Sequence, residues 1–329
     1  MYKTILLLLL SCSLLGCSKR NNEREWWNYN SKLKILSTIS MIHDFVQEIG
    51  GEYVDAAVLI RGELDPHSYE LVKGDDEKFE RATIVFCNGL GLEHSLSLRQ
   101  KIATHPCSIA VADILLKKEP SLLLCVENQY DPHVWMDITL WMHIIEPIVH
   151  ALAEADPDHA LIYEQRGRLL SERLEQTDRV LYQKMQAIPS ELRYLITSHD
   201  AFHYFTRRYL ANPNEMNWKE RCAAPEGLAP ESQLSITDIY EIVHLIEKRR
   251  VPVLFPESNM SKDALRKIVK VGLEKGYYIT LSKEPLYGDS MGSATSYLDM
   301  MSHNVRVITE ELQQAQDRMN TSSNMMAGS

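Results

Sequence analysis

No run of Lys or Arg is long enough to make a basic patch, and 35 basic against 45 acidic side chains leave a formal net charge of −10. Nucleic-acid binding draws on a basic patch that displaces counterions, so that class of partner is excluded. No C-x-x-C occurs among the six cysteines, which argues against a thiolate metal site. No H-E-x-x-H occurs either, so the usual helical zinc-protease arrangement is missing. No apolar run reaches the roughly 20 residues of an ordinary spanning helix. A content of 45% apolar and 24% charged residues excludes wholesale disorder, and 329 residues suffice for two domains of ordinary size.

What is present starts at the N-terminus. "MYKTILLLLLSCSLLGCSKR" carries one Lys, an apolar run from Ile5 to Gly16, and then Cys17. That is the length of a signal-peptide core, and Leu14-Leu15-Gly16-Cys17 resembles a bacterial lipobox. The reading is a signal peptide over 1–17, a lipid anchor at Cys17 and a polar tether over 18–32; a plain cleaved signal is the alternative. Either way the mature chain is exported to the periplasm or cell surface, anchored rather than integral. In such an oxidising compartment Cys87, Cys107, Cys125 and Cys222 could form bridges, in any of three full pairings.

Beyond residue 32, strands alternate with helices. "LKILSTIS" (33–40), "YVDAAVLI" (53–60), "TIVFCNG" (83–89) and "SIAVADI" (108–114) read as strands, with helices over 41–50 and around "KGDDEKFERA". From Asp156 to about Ala187 there is no strand signal but some 30 residues of helical pattern. Pro157 near its start and Pro189 past its end mark its limits, and Ile162, Leu169, Leu170, Leu174, Leu181 and Met185 form its apolar stripe. Alternation then resumes, with strands at 193–198, "VPVLFPE" and "YYITLS", helices at 236–250 and "SKDALRKIVKVGLEKG", and a last helix from "SYLDMMSHN". The expectation is an α/β fold of two lobes, each with a mostly parallel sheet flanked by helices, joined by one long rigid helix. The divisions are 33–155, 156–188 and 189–315, with a disordered tail over 316–329.

Open α/β sheets place ligands where strands end and loops begin. His67 follows the strand 53–60, His199 follows 193–198 and Asp289 follows the strand 277–282; His133 lies in a loop whose preceding strand is not evident. His67 and His133 each close an Asp-Pro-His, in "DPHSYE" and "DPHVWMD", 66 residues apart. The proline fixes its own φ and pushes the preceding Asp toward extended backbone, so each His leaves a stiff loop, and Asp65 and Asp131 can cap a turn or accept a ring N–H. Three imidazoles and a carboxylate suit a divalent first-row transition metal better than calcium. The same tripeptide, taken alone, is an ordinary turn with a surface histidine. His43, His143, His150, His203, His244 and His303 fall in helical stretches and read as surface or core residues.

"DPHSYE", "NGLGLE", "DPHVWMD", "TSHDAFHYF" with "RRYL", "PEGLAPESQ" and "YGDS" before "SYLDMMSHN" occur in this order over residues 33–312. The chain thereby resembles the solute-binding proteins of bacterial zinc, manganese and iron ABC importers, the ZnuA/TroA-like family, and is especially similar to its chlamydial members. The resemblance implies a metal held between the lobes by His67, His133, His199 and Asp289. It also implies one transported Mn, Zn or Fe ion per chain, a monomer, and a membrane permease with its cytoplasmic ATPase as partners. Two features depart from the family pattern: the His-rich loop of dedicated zinc importers is absent, and the last loop, "YGDSMG", is short. The first departure favours manganese or iron, while ligand chemistry favours zinc, so the cargo stays open among the three. A secreted zinc-dependent hydrolase is the alternative function, with Glu70 and Glu257 as the only candidate bases; a passive surface lipoprotein is a third.

Overall fold

The computed structural model describes residues 26–126, 128–229 and 236–327. The signal peptide 1–17 with Cys17, and the tether as far as Glu25, lie outside the described residues. The tether is shorter than expected, because Trp26 is buried in the core and Lys34 Nζ donates to the carbonyl of Asn28 at 3.0 Å.

The first half is built on a four-stranded parallel sheet in the order β2-β1-β3-β4, with β1 Leu33–Ser37, β2 Val54–Val58, β3 Ile84–Cys87 and β4 Ser108–Ala110. Strands β1, β2 and β3 are short and nearly all buried, as a parallel sheet covered on both faces requires, while β4 at one edge is only half-buried; the polar Lys34 and Asp55 in β1 and β2 pair with each other. Helices α1 Ser40–Gly50, α2 Asp75–Arg81 and α3 Leu96–Thr104 connect them. The strand expected over 108–114 is corrected: it stops at Ala110, and Val111–Lys118 is a helix, α4, with Val111, Ala112 and Leu115 buried at helical spacing. A small antiparallel hairpin, β5 Cys125–Val126 and β6 Gln129–Tyr130, precedes His133. Helices α5 Ile138–Trp141 and α6 Ile145–Ala155 complete this half.

The connector is α7, Ala160–Gln186, entered through a 3-10 turn at Pro157–His159. At about 1.5 Å per residue it spans roughly 40 Å. Its buried face is Tyr163, Gly167, Leu170, Leu174, Asp178, Leu181 and Met185. Leu169, expected in the stripe, is 54% exposed instead. Two residues that do not look apolar complete the seam. Gly167 lets α6 approach so closely that a Cβ there would lie 2.7 Å from Val149 Cγ2. Asp178 accepts from Arg208 Nε at 3.0 Å, from Arg208 Nη2, and from Tyr209 Oη at 2.9 Å.

The second half repeats the plan with shorter ladders. β7 Leu195–Ile196 pairs parallel with β8 Cys222–Ala223, and β9 Val253–Leu254 pairs parallel with β10 Thr280–Leu281. Phe255 N–H to Ile196 O, at 2.8 Å, joins the two pairs. The six- and seven-residue strands expected here are thus cut to two residues each. Pro252 and Pro256 bracket β9 and have no N–H to donate, so the ladder continues only through their carbonyls, to Thr280 N at 3.0 Å and Leu286 N at 2.8 Å. The segment after Ala201 is a short helix, α8 His203–Phe205, continued by a π-helical turn over Thr206–Leu210. Helices α9 Ile236–Arg249 and α10 Asp263–Glu274 pack beside the strands, and α11 runs Tyr297–Ala327. The tail expected to be disordered from 316 is therefore helical to Ala327. Cys87, Cys107, Cys125 and Cys222 are all free thiols, so the bridges considered from sequence are not formed.

The main core is continuous across both halves, taking in Phe45, Trp141, Tyr163, Phe205, Phe255 and Met301. Tyr297, at the start of α11, packs edge-on against Phe45 at 5.5 Å, and its N–H donates to Asp44 Oδ2 at 2.9 Å. Because Asp178 answers the guanidinium of Arg208 inside this seam, Asp178→Ala leaves that charge unmatched. Urea denaturation should show a loss of about 3 kcal/mol, where Leu169→Ala on the exposed face should cost well under 1 kcal/mol.

Candidate metal centre

Both Asp-Pro-His segments fold by the same local device. Asp65 Oδ1 accepts the backbone N–H of His67 at 2.8 Å, and Asp131 Oδ1 accepts that of His133 at 3.0 Å. Each aspartate therefore closes a turn over its proline and aims the next side chain inward. They differ at the ring. Asp131 Oδ1 also takes His133 Nδ1 at 2.7 Å, while its Oδ2 takes His203 Nδ1 at 3.1 Å; Asp65 spends its second oxygen on Ser68 Oγ at 2.7 Å. The loop carrying His133 is further fixed by Asn88 Nδ2, which donates to Pro132 O at 3.0 Å. Asn88 is in turn held by buried Glu93, which accepts its N–H at 2.7 Å and Thr38 Oγ1 at 2.6 Å.

His199 sits just past β7, where a β-bridge pairs it with Glu226. Glu257, just past β9, reaches back to it: Oε1 accepts the N–H groups of Ser198 and His199 at 3.0 and 2.9 Å, and Oε2 lies 2.8 Å from His199 Nδ1. Asp289 lies on the loop after β10. Asn304 of α11 grips Tyr287 by both amide groups, at 2.8 and 2.9 Å, and Trp135 Nε1 donates to Gly288 O at 3.0 Å. Gly288 must be glycine, because a Cβ there would lie 2.1 Å from Glu257 Oε2.

The four side chains singled out from sequence are all brought to one point. His67, His133, His199 and Asp289 are at most 4% exposed, and their donor atoms lie within 4.8 Å of one another. His67 Nε2 is 3.2 Å from His133 Nε2; Asp289 Oδ1 is 3.3 Å from His133 Nε2, and Oδ2 is 3.1 Å from His199 Nε2 and 3.6 Å from His67 Nε2. A tetrahedral ion with bonds of about 2.0–2.1 Å holds its ligand atoms roughly 3.4 Å apart, so these separations are those of a set that can close on one ion. Both Asp289 oxygens, both His199 ring nitrogens and Glu257 Oε2 are buried without a hydrogen bond of good geometry; a cation would answer the inner three, the Asp289 oxygens and His199 Nε2. The outer nitrogens of His133 and His199 face Asp131 and Glu257, which leaves three Nε2 atoms and two carboxylate oxygens facing one another.

The electrostatics are uneven. Burial pulls His67 down to about 3, with the Asp289 charge only partly opposing it, so this ring is neutral. Burial also works against charge on His133, but Asp131 and Asp289 outweigh it and push the ring up to about 9. His199 is likewise raised well above its usual value, burial being outweighed by Glu257 and Asp289. Asp289 is held well below the ordinary carboxylate range, because His199 and His133 more than offset its burial.

Sequence reasoning missed part of the supporting shell. Glu257 was a candidate base, yet both its oxygens are directed to the His199 segment. His203, expected to be a surface or core residue, backs Asp131; its spacing of four from His199 was the available signal. Trp135 and Asn304 lie in the motifs noted, but no local feature reveals that each meets Gly288 or Tyr287 from far along the chain. Glu70, the other candidate base, is exposed and accepts a hydrogen bond from Ser97.

Residues 35–311 match the family described as ZnuA, zinc-uptake complex component A periplasmic. The chain is 40% identical over 307 residues to the metal-binding protein YtgA of Chlamydia pneumoniae, covering 92% of each. It is 30% identical over 311 residues to the manganese-binding lipoprotein MntA of Bacillus subtilis, covering 93% of this chain and 97% of that one. The crystal structure of Fe(III)-bound YtgA from Chlamydia trachomatis is similar with a TM-score of 0.81 and 41% identity, over 85% of this chain and 98% of the other.

Removing an outer partner should weaken metal binding without removing a donor. Glu257→Gln should cost about 10–100-fold in affinity, and Gly288→Ala should do at least as much by displacing the Glu257 carboxylate. Competition with a chromophoric chelator measures both; wild-type affinity in Glu257→Gln would show that His199 needs no such partner.

Proposed function

The chain belongs to the zinc-uptake complex component A family of periplasmic metal-binding proteins, and we propose that its cargo is one divalent transition-metal ion held by His67, His133, His199 and Asp289. The observation that carries this reading is the convergence of three Nε2 atoms on both oxygens of a buried aspartate, with separations suited to one ion. The ion is substrate, not cofactor: it is captured outside the cytoplasm and handed to an ABC permease driven by its ATPase. With one Asp289 oxygen the set is four-coordinate, as zinc prefers; with both it is five-coordinate, which manganese and iron(II) accept.

Capture is a proton exchange. His133 Nδ1 keeps its proton on Asp131, and His199 Nδ1 keeps its own on Glu257, which leaves each Nε2 as the ligating atom. In the metal-free site both rings are raised and carry an Nε2 proton paired with Asp289, and the incoming cation displaces these protons. His67, held neutral by burial, needs no such exchange. A hydrolytic role is not favoured: the acids at the ligand rings, Asp131 and Glu257, are directed to His133 and His199, and the four donors fill the site.

Export and membrane attachment follow from the sequence around Cys17, and the relative MntA is itself named a lipoprotein. Among the described residues no helix is long and apolar enough to cross a membrane. We read the chain as a monomeric carrier tethered by that cysteine.

Elemental analysis of protein purified without added metal should give one ion per chain, lost in His67→Ala and Asp289→Ala; hydrolase activity that tracks bound zinc would revive the enzymatic reading. Zinc should bind more tightly than iron(II) or manganese. Because His133 titrates at about 9 in the empty site, apparent affinity should already fall below pH 9, by about tenfold per pH unit for each proton displaced. The onset near 6.5 expected of ordinary histidines is thereby moved upward. Titration calorimetry from pH 9 to 6 in buffers of different ionisation enthalpy counts those protons, and a flat profile would contradict ligation through His133.

A further inference from the structure

Asp289 is flanked on both sides by groups reaching across from the first half. On one side Trp135 donates to Gly288 O, and the indole also lies edge-on to His133 at 5.3 Å. On the other side Ser290 Oγ donates to Glu63 Oε2 at 2.9 Å. The same Glu63 oxygen accepts Ser258 Oγ at 2.6 Å, and the two hydroxyls are 3.3 Å apart. Glu63 stands four residues before His67, on the loop leaving β2. Ser258 directly follows Glu257, which holds His199, and Ser290 directly follows Asp289. One carboxylate oxygen of the first half thus ties together the Asp289 loop and the loop whose Glu257 backs His199.

The two attachments are not equivalent. Trp135 is fully buried, and its bond is shielded from exchange with water. Glu63 is exposed while Ser290 is 2% exposed, so this bond lies at the boundary between solvent and the closed site. A hydrogen bond open to water breaks at small net cost, whereas one in a packed core does not. The shared core and the Tyr297 anchor oppose a wide opening of the halves, and Asn304 holds Tyr287. With Gly288 still held by Trp135, the residues after it, from Asp289 onward, are the part of the last loop that can lift once Glu63 lets go.

We propose that Glu63 is a positioning residue that latches the Asp289 and Glu257 loops over the ion, and that breaking its two hydrogen bonds is the first step of metal release. The proposal rests on the carrier reading and adds to it the point at which the site opens. Glu63 does not touch the ion; it acts through Ser290 and Ser258. Its exposure lets a cationic side chain on a docking partner compete for the carboxylate without entering the site.

The test is stopped-flow release of zinc from the full chain into excess chelator, with zinc association measured separately. Glu63→Ala should speed release on the order of tenfold, as loss of charge-assisted hydrogen bonds implies, with association and thermal unfolding close to wild type. Glu63→Gln, whose amide oxygen can still accept both hydroxyls, should restore most of the slow release, which a general loss of packing would not show. Ser258→Ala with Ser290→Ala should speed release to the same degree, and adding Glu63→Ala to that pair should change nothing further. Wild-type release from Glu63→Ala, or an effect fully additive with the serine pair, would overturn the latch. A wild-type chain that loads no zinc, iron(II) or manganese would instead overturn the carrier reading beneath it.

Discussion

A carboxylate shut away from water must have its charge met by the protein, and at Asp289 the imidazoles of His133 and His199 meet it. An isolated buried charge is costly enough that a group usually neutralises instead. Here both imidazoles are themselves backed by buried acids, Asp131 behind His133 and Glu257 behind His199. The resulting alternation of acid, ring and acid stabilises charge in the empty site and leaves the Nε2 atoms facing inward. A cation that replaces the protons enters a field already arranged for it. His67 lacks such an acid at its ring, is held neutral by burial, and has its backbone fixed by Asp65 instead.

That arrangement demands that loops from both halves hold their places to within about 0.5 Å, and the rest of the architecture supports this. The core does not divide at the lobe boundary. α7 lies along both halves, with Asp178 pairing to the Arg208 segment of the second, and α11 returns to seat Tyr297 against Phe45. Trp135 spans the site itself, its ring beside His133 and its N–H on Gly288. Such a molecule is poorly suited to wide hinge motion, so exchange of the ion falls to loop segments at its rim. The polar contacts around Glu63 lie at an exposed edge of the site.

Much of this was legible along the chain, and the failures have specific causes. The strands before His67 and His199 stood out because parallel strands buried on both faces read as continuous apolar runs. The run at 108–114 misled because short apolar stretches do not distinguish strand from helix; the chain changes from one to the other at Val111. His133 had no visible strand before it, since its support is a hairpin of two-residue strands. In the long helix the apolar stripe pointed to Leu169, whereas the seam is completed by Gly167, which admits a neighbouring helix, and by Asp178, which is paired. Neither function shows in a hydrophobicity pattern. Free thiols at all four cysteines were equally outside its reach, because pairing depends on distance in space.

By itself the sequence determined the donor types, the placement of His67, His199 and Asp289 after strands, and the two Asp-Pro-His turns, whose hydrogen bonds span only two residues and so form from local geometry. Tertiary structure alone decided that these donors meet, which nitrogen of each ring faces the others, and which rings are charged. Those properties depend on burial and on groups as distant in sequence as Trp135 and Gly288, 153 residues apart, or His199 and Glu257, 58 residues apart. Electrostatic energy follows separation and solvent exclusion in space, and neither is written in the order of residues along the chain.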